Sequence, residues 1–182
     1  MRKVPIFLFI AVLFLSACAS FYNIESSKPL TVYNRPVVVP NDFNISGRFS
    51  IKTKDKYNYG NLTWSRVGDI EELDFISPLG QTFARIKIES GNINLTTNND
   101  TYTSEDLDDL MIRQLGFVLP LNYLHYWILG VEFPGIIVTE KLVDGFIQLG
   151  WKVEYLEWVD KNHPKIIMCS KDDLIIKLLI EW

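Results

Sequence analysis

Histidine is nearly missing from this chain: His125 and His163 are the only two in 182 residues. Neither stands in a metal-ligand spacing such as H-E-x-x-H, so they read as a helix-surface and a loop histidine rather than as ligands or bases. No G-x-S-x-G elbow, P-loop or dinucleotide fingerprint occurs, and neither a catalytic residue nor a metal site is expected. The paired acids Glu71 and Glu72, Asp108 and Asp109, and Asp172 and Asp173 are adjacent in sequence. In strands, adjacent side chains point to opposite faces, so these pairs suit solvated faces or turns better than an acid/base couple. Basic runs are also absent, and the formal net charge is -4, which argues against a nucleic-acid partner. The N-terminal apolar run from Val4 to Leu15 falls short of the about 20 residues that a membrane-spanning helix requires.

That run has another use. Arg2 and Lys3 precede it, and small residues in "LSAC" close it at Cys18. Basic, apolar and small-residue regions in that order form a secretory leader. "LSAC" also resembles a bacterial lipobox, which makes residues 1–17 the removed leader and Cys18 the lipidated first residue of the mature chain. The only cofactor expected is this covalent lipid, an S-diacylglycerol and an N-acyl chain on Cys18. Several acyl chains at about 0.8 kcal/mol per buried methylene anchor a domain without any span. Residue 19 is Ala, not the Asp that marks inner-membrane retention in enterobacterial lipoproteins, so the resemblance favours the outer membrane, with the domain facing the periplasm. Removing 17 of 182 residues leaves 165, enough for one domain, and loses two basic residues and no acid, so the charge becomes about -6. With Cys18 committed to lipid, Cys169 has no disulfide partner and is expected to be buried and inert.

Residues 18–41 are polar and broken by Pro29, Pro36 and Pro40, as in a tether, with "VVV" at 37–39 as an arm on the domain surface. The domain spans 42–182. Alternation of Phe43, Ile45, Phe49 and Ile51 marks a first strand, and Tyr57 to Trp64 a second. There the apolar parity shifts around Gly60 and Asn61, which a bulge would reconcile. Leu73–Ser77, Thr82–Glu89 and Asn92–Thr97 complete a five-strand antiparallel meander. The period then becomes helical: Thr103 with Asp106 resembles a capping box, and Leu107, Leu110, Met111 and Leu115 recur until Gly116. A second helix is expected over Leu121–Ile128, stopped at Gly130. Strands return at Phe146–Leu149, Trp151–Trp158, Lys165–Ser170 and Leu174–Trp182. "VEFPGII" after the second helix matches no pattern, and Arg48 and Arg85 have no evident role.

Strands, then two helices, then strands describe a mainly β domain with α elements, a curved antiparallel sheet whose concave side the helices cover, for which an open half-barrel is one solution. The space beneath is apolar, and the residues alone leave open whether side chains fill it or it admits an acyl chain. The turn "SPLGQ" is as ambiguous. Turn tips favour small polar residues, yet this one carries Leu79, which either folds back on the core or stands in solvent. Pro78 and Gly80 suit a tight loop able to hold it outward.

"GRFSI" at 47–51, "SPLGQTFARI" at 77–86, "YTSEDLDDLM" at 102–111, "LPLNYLHYWILG" at 119–130, "QLGWKVEY" at 148–155 and the closing "IIKLLIEW" occur in the order and spacing of one family. The chain resembles LolB, the outer-membrane lipoproteins that receive other lipoproteins from the periplasmic carrier LolA and insert them into the membrane. The resemblance implies an open half-barrel of the LolA/LolB type with helices as a lid over an acyl-chain cavity. It further implies an exposed Leu79 on a membrane-insertion turn of Pro78, Leu79 and Gly80. Candidate cavity residues are Phe49, Ile51, Trp64, Phe75, Ile86, Trp127, Trp151, Val153 and Leu178. Expected partners are LolA, cargo lipoproteins with their acyl chains, and the outer membrane, for a monomer that is not an enzyme. Two other classes share parts of this description: an envelope scaffold with a filled core, and a lipid esterase, which the scarce histidines disfavour.

Overall fold

The computed structural model describes residues 39–182. The leader, Cys18 and most of the tether, including Val37 and Val38 of the arm, lie outside the described residues. Val39 is half-buried and packs on the core.

Eleven strands form one antiparallel sheet: β1 (Phe43–Lys52), β2 (Tyr57–Val67), β3 (Ile70–Ile76), β4 (Thr82–Glu89), β5 (Asn92–Thr97), β6 (Thr101–Ser104), β7 (Val138–Leu142), β8 (Gly145–Gln148), β9 (Trp151–Trp158), β10 (Pro164–Lys171) and β11 (Leu174–Glu181). Their order is β6-β5-β4-β3-β2-β1-β11-β10-β9-β8-β7, so the first and last strands meet in the middle, with Phe49 opposite Leu178. The edges β6 and β7 do not pair, and the sheet stays open. Helices α1 (Leu107–Gln114) and α2 (Leu121–Trp127) lie between those edges in the chain. They supply Leu110, Met111, Leu121, Leu124 and Trp127 to the core. This is the expected half-barrel with a helical cover.

Three local readings change. No bulge occurs at Gly60 and Asn61: the β1–β2 register runs unbroken from Phe43↔Arg66 to Lys52↔Tyr57. Leu62 and Trp64 face the core, while Tyr57 and Tyr59, of opposite parity, are exposed. Gly60 sits opposite Phe49, and a Cβ there would lie 2.2 Å from the Ile76 carbonyl oxygen and 3.2 Å from the Phe49 ring. Close approach, not a bulge, requires this glycine. Thr103 belongs to β6, where its hydroxyl donates to Asn94; Asp106 alone caps α1, accepting from the Asp109 N–H at 3.0 Å. Strands β6 and β7 were not anticipated, because four and five residues with exposed polar positions carry little apolar alternation. Gly116 does end α1, its N–H reaching the Met111 and Ile112 carbonyls.

Candidate functional site

All nine candidate cavity residues are buried, but they do not share one space. Phe49, Ile51, Trp64, Phe75 and Leu178 line an internal void together with Leu119 and Leu124, which cover it from the helical side. That void measures about 20 Å³, room for one water. Ile86, Trp127 and Val153 pack elsewhere in the core. Trp151 lies on a second feature, an open groove of about 1110 Å³ beside α1 and the α1–α2 connection. Ile88, Leu107, Ile112, Phe117 and Leu174 give it apolar walls. Asp55, Glu105, Asp106, Asp108, Asp172 and Asp173 stand around it against Lys54 and Lys171, so its rim is acidic.

The cover is held by a residue that sequence reasoning missed. Gln148 is fully buried on the inward face of β8, and its amide is satisfied on every side. The Trp127 indole N–H and the Phe133 N–H donate to its Oε1 at 3.2 and 2.9 Å, and its Nε2 donates to the carbonyls of Phe133 and Ile136, both at 2.9 Å. One side chain thus ties α2 and the 131–137 loop to the sheet, which explains "VEFPGII": the segment is ordered by Gln148, not by its own periodicity. The Tyr155 hydroxyl adds a bond to the Trp127 carbonyl at 3.0 Å. A polar residue sharing the parity of Phe146 was the signal available.

On the opposite side of the cover, His125 is buried, not on the helix surface as expected. It stacks on Phe43 with ring centroids 5.6 Å apart, and its Nε2 has no hydrogen-bond partner among the described residues. Burial, with Arg66 nearby, holds its pKa below the usual imidazole value. Glu71 accepts from the Trp64 indole at 2.9 Å, and burial raises its carboxyl pKa. His163 is a loop residue bonded to Asp160, whose pKa that hydrogen bond lowers. Cys169 is fully buried, and burial pushes its thiol up, so no reactive thiolate forms there. Among the described residues no three His, Cys, Asp or Glu side chains cluster as metal ligands.

The β3–β4 hairpin carries the projecting turn. The Ser77 N–H donates to Gln81 O at 2.8 Å and the Gly80 N–H to Ser77 O at 2.9 Å, closing a three-residue loop of Pro78, Leu79 and Gly80. Gly80 takes φ +85°, the left-handed conformation such loops use at their last position. Leu79 is 90 % exposed at the tip. Its stem is braced by Arg85, which donates to both carboxylate oxygens of Asp74 across the ladder and lies 3.2 Å from Glu72. Arg85 therefore has a structural role that the sequence did not reveal.

Comparison with known proteins adds a lineage to this geometry. The family model described as outer membrane lipoprotein LolB matches residues 41–182. Proteins named outer-membrane lipoprotein LolB are similar over most of their length. One from Azoarcus sp. strain BH72 is 32% identical over 177 residues, covering 92% of this chain and 88% of the relative. Another, from Chromobacterium violaceum, is 28% identical over 141 residues, 76% of this chain and 78% of the relative. A third, from Francisella tularensis subsp. novicida, is 28% identical over 189 residues, 94% and 90% respectively.

Proposed function

The chain belongs to the outer membrane lipoprotein LolB family, and from that premise we propose that it accepts acylated lipoproteins from the carrier LolA and inserts them into the outer membrane. The role is non-enzymatic and the protein is a lipid-anchored outer-membrane lipoprotein. Its anchor in this reading is the acylated Cys18, and it works as a monomer.

The observation that carries the reading is Leu79, a large apolar side chain 90 % exposed on a hydrogen-bonded turn. Burying one leucine in lipid contributes about 1.5–3 kcal/mol, too little to anchor a protein already held by acyl chains, but enough to bias its orientation. The turn thus brings the domain to the bilayer at a defined angle. Cargo acyl chains first lie in the acidic-rimmed groove. Pockets that enclose small organic ligands measure about 300–1,000 Å³. The groove is of that order and the internal void is not. Entry to the interior therefore requires α2, with Leu124, to lift from the sheet. Transfer runs down a ladder of affinities from carrier to this domain to bilayer, each step burying the chains better than the last, with no covalent chemistry. An acidic rim speeds encounter with a basic mouth on the carrier.

The void of about 20 Å³ is also what a scaffold with a filled core would show. A transfer experiment separates the two. Residues 18–182 with Cys18→Ala are mixed with a purified carrier–lipoprotein complex, movement of cargo to the domain and then to liposomes is followed, and both steps are repeated with Leu79→Glu. Cargo uptake by both versions, with insertion lost only in Leu79→Glu, supports the acceptor. No uptake by the unsubstituted domain leaves the scaffold.

A further inference from the structure

The sheet has a second exposed feature beside the Leu79 turn. Asn61 is the last β2 residue paired with β3, so Tyr59 and Tyr57 continue β2 alongside the 77–81 turn. Both point to the outer, convex face, 59 % and 62 % exposed, with ring centroids 5.8 Å apart. Lys52 stands directly opposite Tyr57, and Ser50 lies between Tyr59 on one side and Lys177 on the other. Arg48, one step along the same face of β1, completes a strip of three exposed cations. Lys54 and Lys56 follow in the β1–β2 turn, with Asp55 between them. None of these five cations makes an ion pair among the described residues, unlike Arg85, Lys87, Lys152 and Lys165 elsewhere on the sheet.

Two amphipathic rings, unpaired cations and a projecting leucine are unusual together on a chain of net charge -4. Tyrosine is favoured where one end of a ring meets apolar matter and its hydroxyl meets water, as at a membrane interface. Cations left unpaired on an otherwise acidic protein suit a surface of phosphates. We propose that the outer face of β1, β2 and β11 next to the 77–81 turn is a seat for an anionic phospholipid surface. Arg48, Lys52 and Lys177 meet headgroup phosphates, Tyr57 and Tyr59 lie at the headgroup level, and Leu79 enters the acyl region. The proposal rests on the reading of Leu79 as the membrane-facing residue and adds to it a lipid preference and a fixed orientation. Leucine alone would make contact with any bilayer. The cations make contact with an anionic one stronger and sensitive to salt, because such attraction fades beyond a screening length of about 10 Å at 0.1 M salt.

The test uses the full lipidated chain reconstituted into vesicles carrying a photoactivatable headgroup, either on phosphatidylglycerol or on phosphatidylcholine, with crosslinked peptides mapped by mass spectrometry. Crosslinks in residues 48–59 and 77–81 are expected with the phosphatidylglycerol probe. Since each cation near an anionic surface strengthens contact about fivefold, Arg48→Glu, Lys52→Glu and Lys177→Glu together should lower the yield in 48–59 about tenfold or more. Tyr57→Ser with Tyr59→Ser, which replaces two exposed rings and leaves the core intact, should lower it as well, with circular dichroism unchanged. Crosslinks at 77–81 and none at 48–59 overturn the seat and leave the Leu79 reading standing. Crosslinks at 48–59 and none at 77–81, both with the headgroup probe and with a second probe that carries the photoactivatable group on its acyl chain, overturn the Leu79 reading and the proposed orientation with it. Equal yields from the two headgroups overturn the anionic preference, and shielding of 48–59 by the carrier in solution, with no vesicle crosslinks there, reassigns the face to a protein and overturns the proposal.

Discussion

Asp74 and Arg85 face each other across the β3–β4 ladder, and the guanidinium donates to both carboxylate oxygens at 2.5 and 2.6 Å. The pair is asymmetric. The Asp74 side chain is 11 % exposed, whereas the Arg85 side chain is 46 % exposed and also reaches Glu72.

Removing Arg85 therefore leaves a nearly buried carboxylate unpaired, while removing Asp74 leaves a guanidinium with water and Glu72. Arg85→Ala should cost more stability than Asp74→Ala, the first near the upper end and the second near the lower end of about 1–3 kcal/mol for a charged hydrogen bond. Urea denaturation of the two variants checks the order, and the opposite order would mean that the pair braces nothing.

Gln148→Leu keeps the volume and deletes four hydrogen bonds to Trp127, Phe133 and Ile136. Each buried group left unpaired costs about 1–3 kcal/mol. The expected outcome is a less stable protein in which the Phe133 amide exchanges with solvent deuterium far faster, while amides of the β1–β2 ladder keep their relative protection. An unchanged Phe133 amide would show that the loop is held by other contacts.

His125 titrates below 6.5 in the folded protein because burial and Arg66 disfavour its cation, and no described group bonds its Nε2. The unfolded chain then binds a proton that the folded chain rejects, so stability falls as pH drops through and below about 6.5. Replacing the ring by phenylalanine, which keeps the stack on Phe43, should flatten the melting temperature over that interval. Parallel acid curves for the two proteins would assign the pH dependence elsewhere.

Gly60→Ala forces a Cβ to within 2.2 Å of a backbone carbonyl in the centre of the sheet. Overpacking of this kind costs about 1–3 kcal/mol. A drop in denaturation midpoint with an unchanged slope is expected, and a neutral variant would mean that β2 and β3 can separate freely at Ile76.

Leu79→Ser touches no packed atom, so its unfolding free energy should stay within about 0.5 kcal/mol of the parent. Lipoprotein insertion into liposomes should nonetheless fall. A destabilised Leu79→Ser would instead mean that the leucine packs on the domain in solution.

Much of the domain was readable along the chain because period-2 alternation in β1, β4, β5, β9 and β11 and the helical spacing of Leu107, Leu110 and Met111 are local patterns. Segments whose order comes from partners distant in sequence could not be read this way. The 131–137 loop has no period of its own and is ordered by a glutamine 12 to 15 residues later. The shift in apolar parity at Tyr57 and Tyr59 suggests a bulge at Gly60 only if every apolar residue faces inward, whereas those two rings belong to the outer face.

The meander, the intervening helices and the place of the Leu79 turn were determined by the chain itself, since each rests on residue type and spacing within a few positions; that Leu79 stands in solvent instead of folding back was decided by the folded hairpin. Packing settled the rest. Only the folded sheet brings Phe49 against Leu178 and Asp74 against Arg85, and closes the void that Phe49, Leu178 and Leu124 of α2 line to about 20 Å³. It also places Arg48, Lys52 and Lys177 in one cationic strip, because cross-strand register joins residues more than a hundred positions apart, and no local periodicity encodes that neighbourhood.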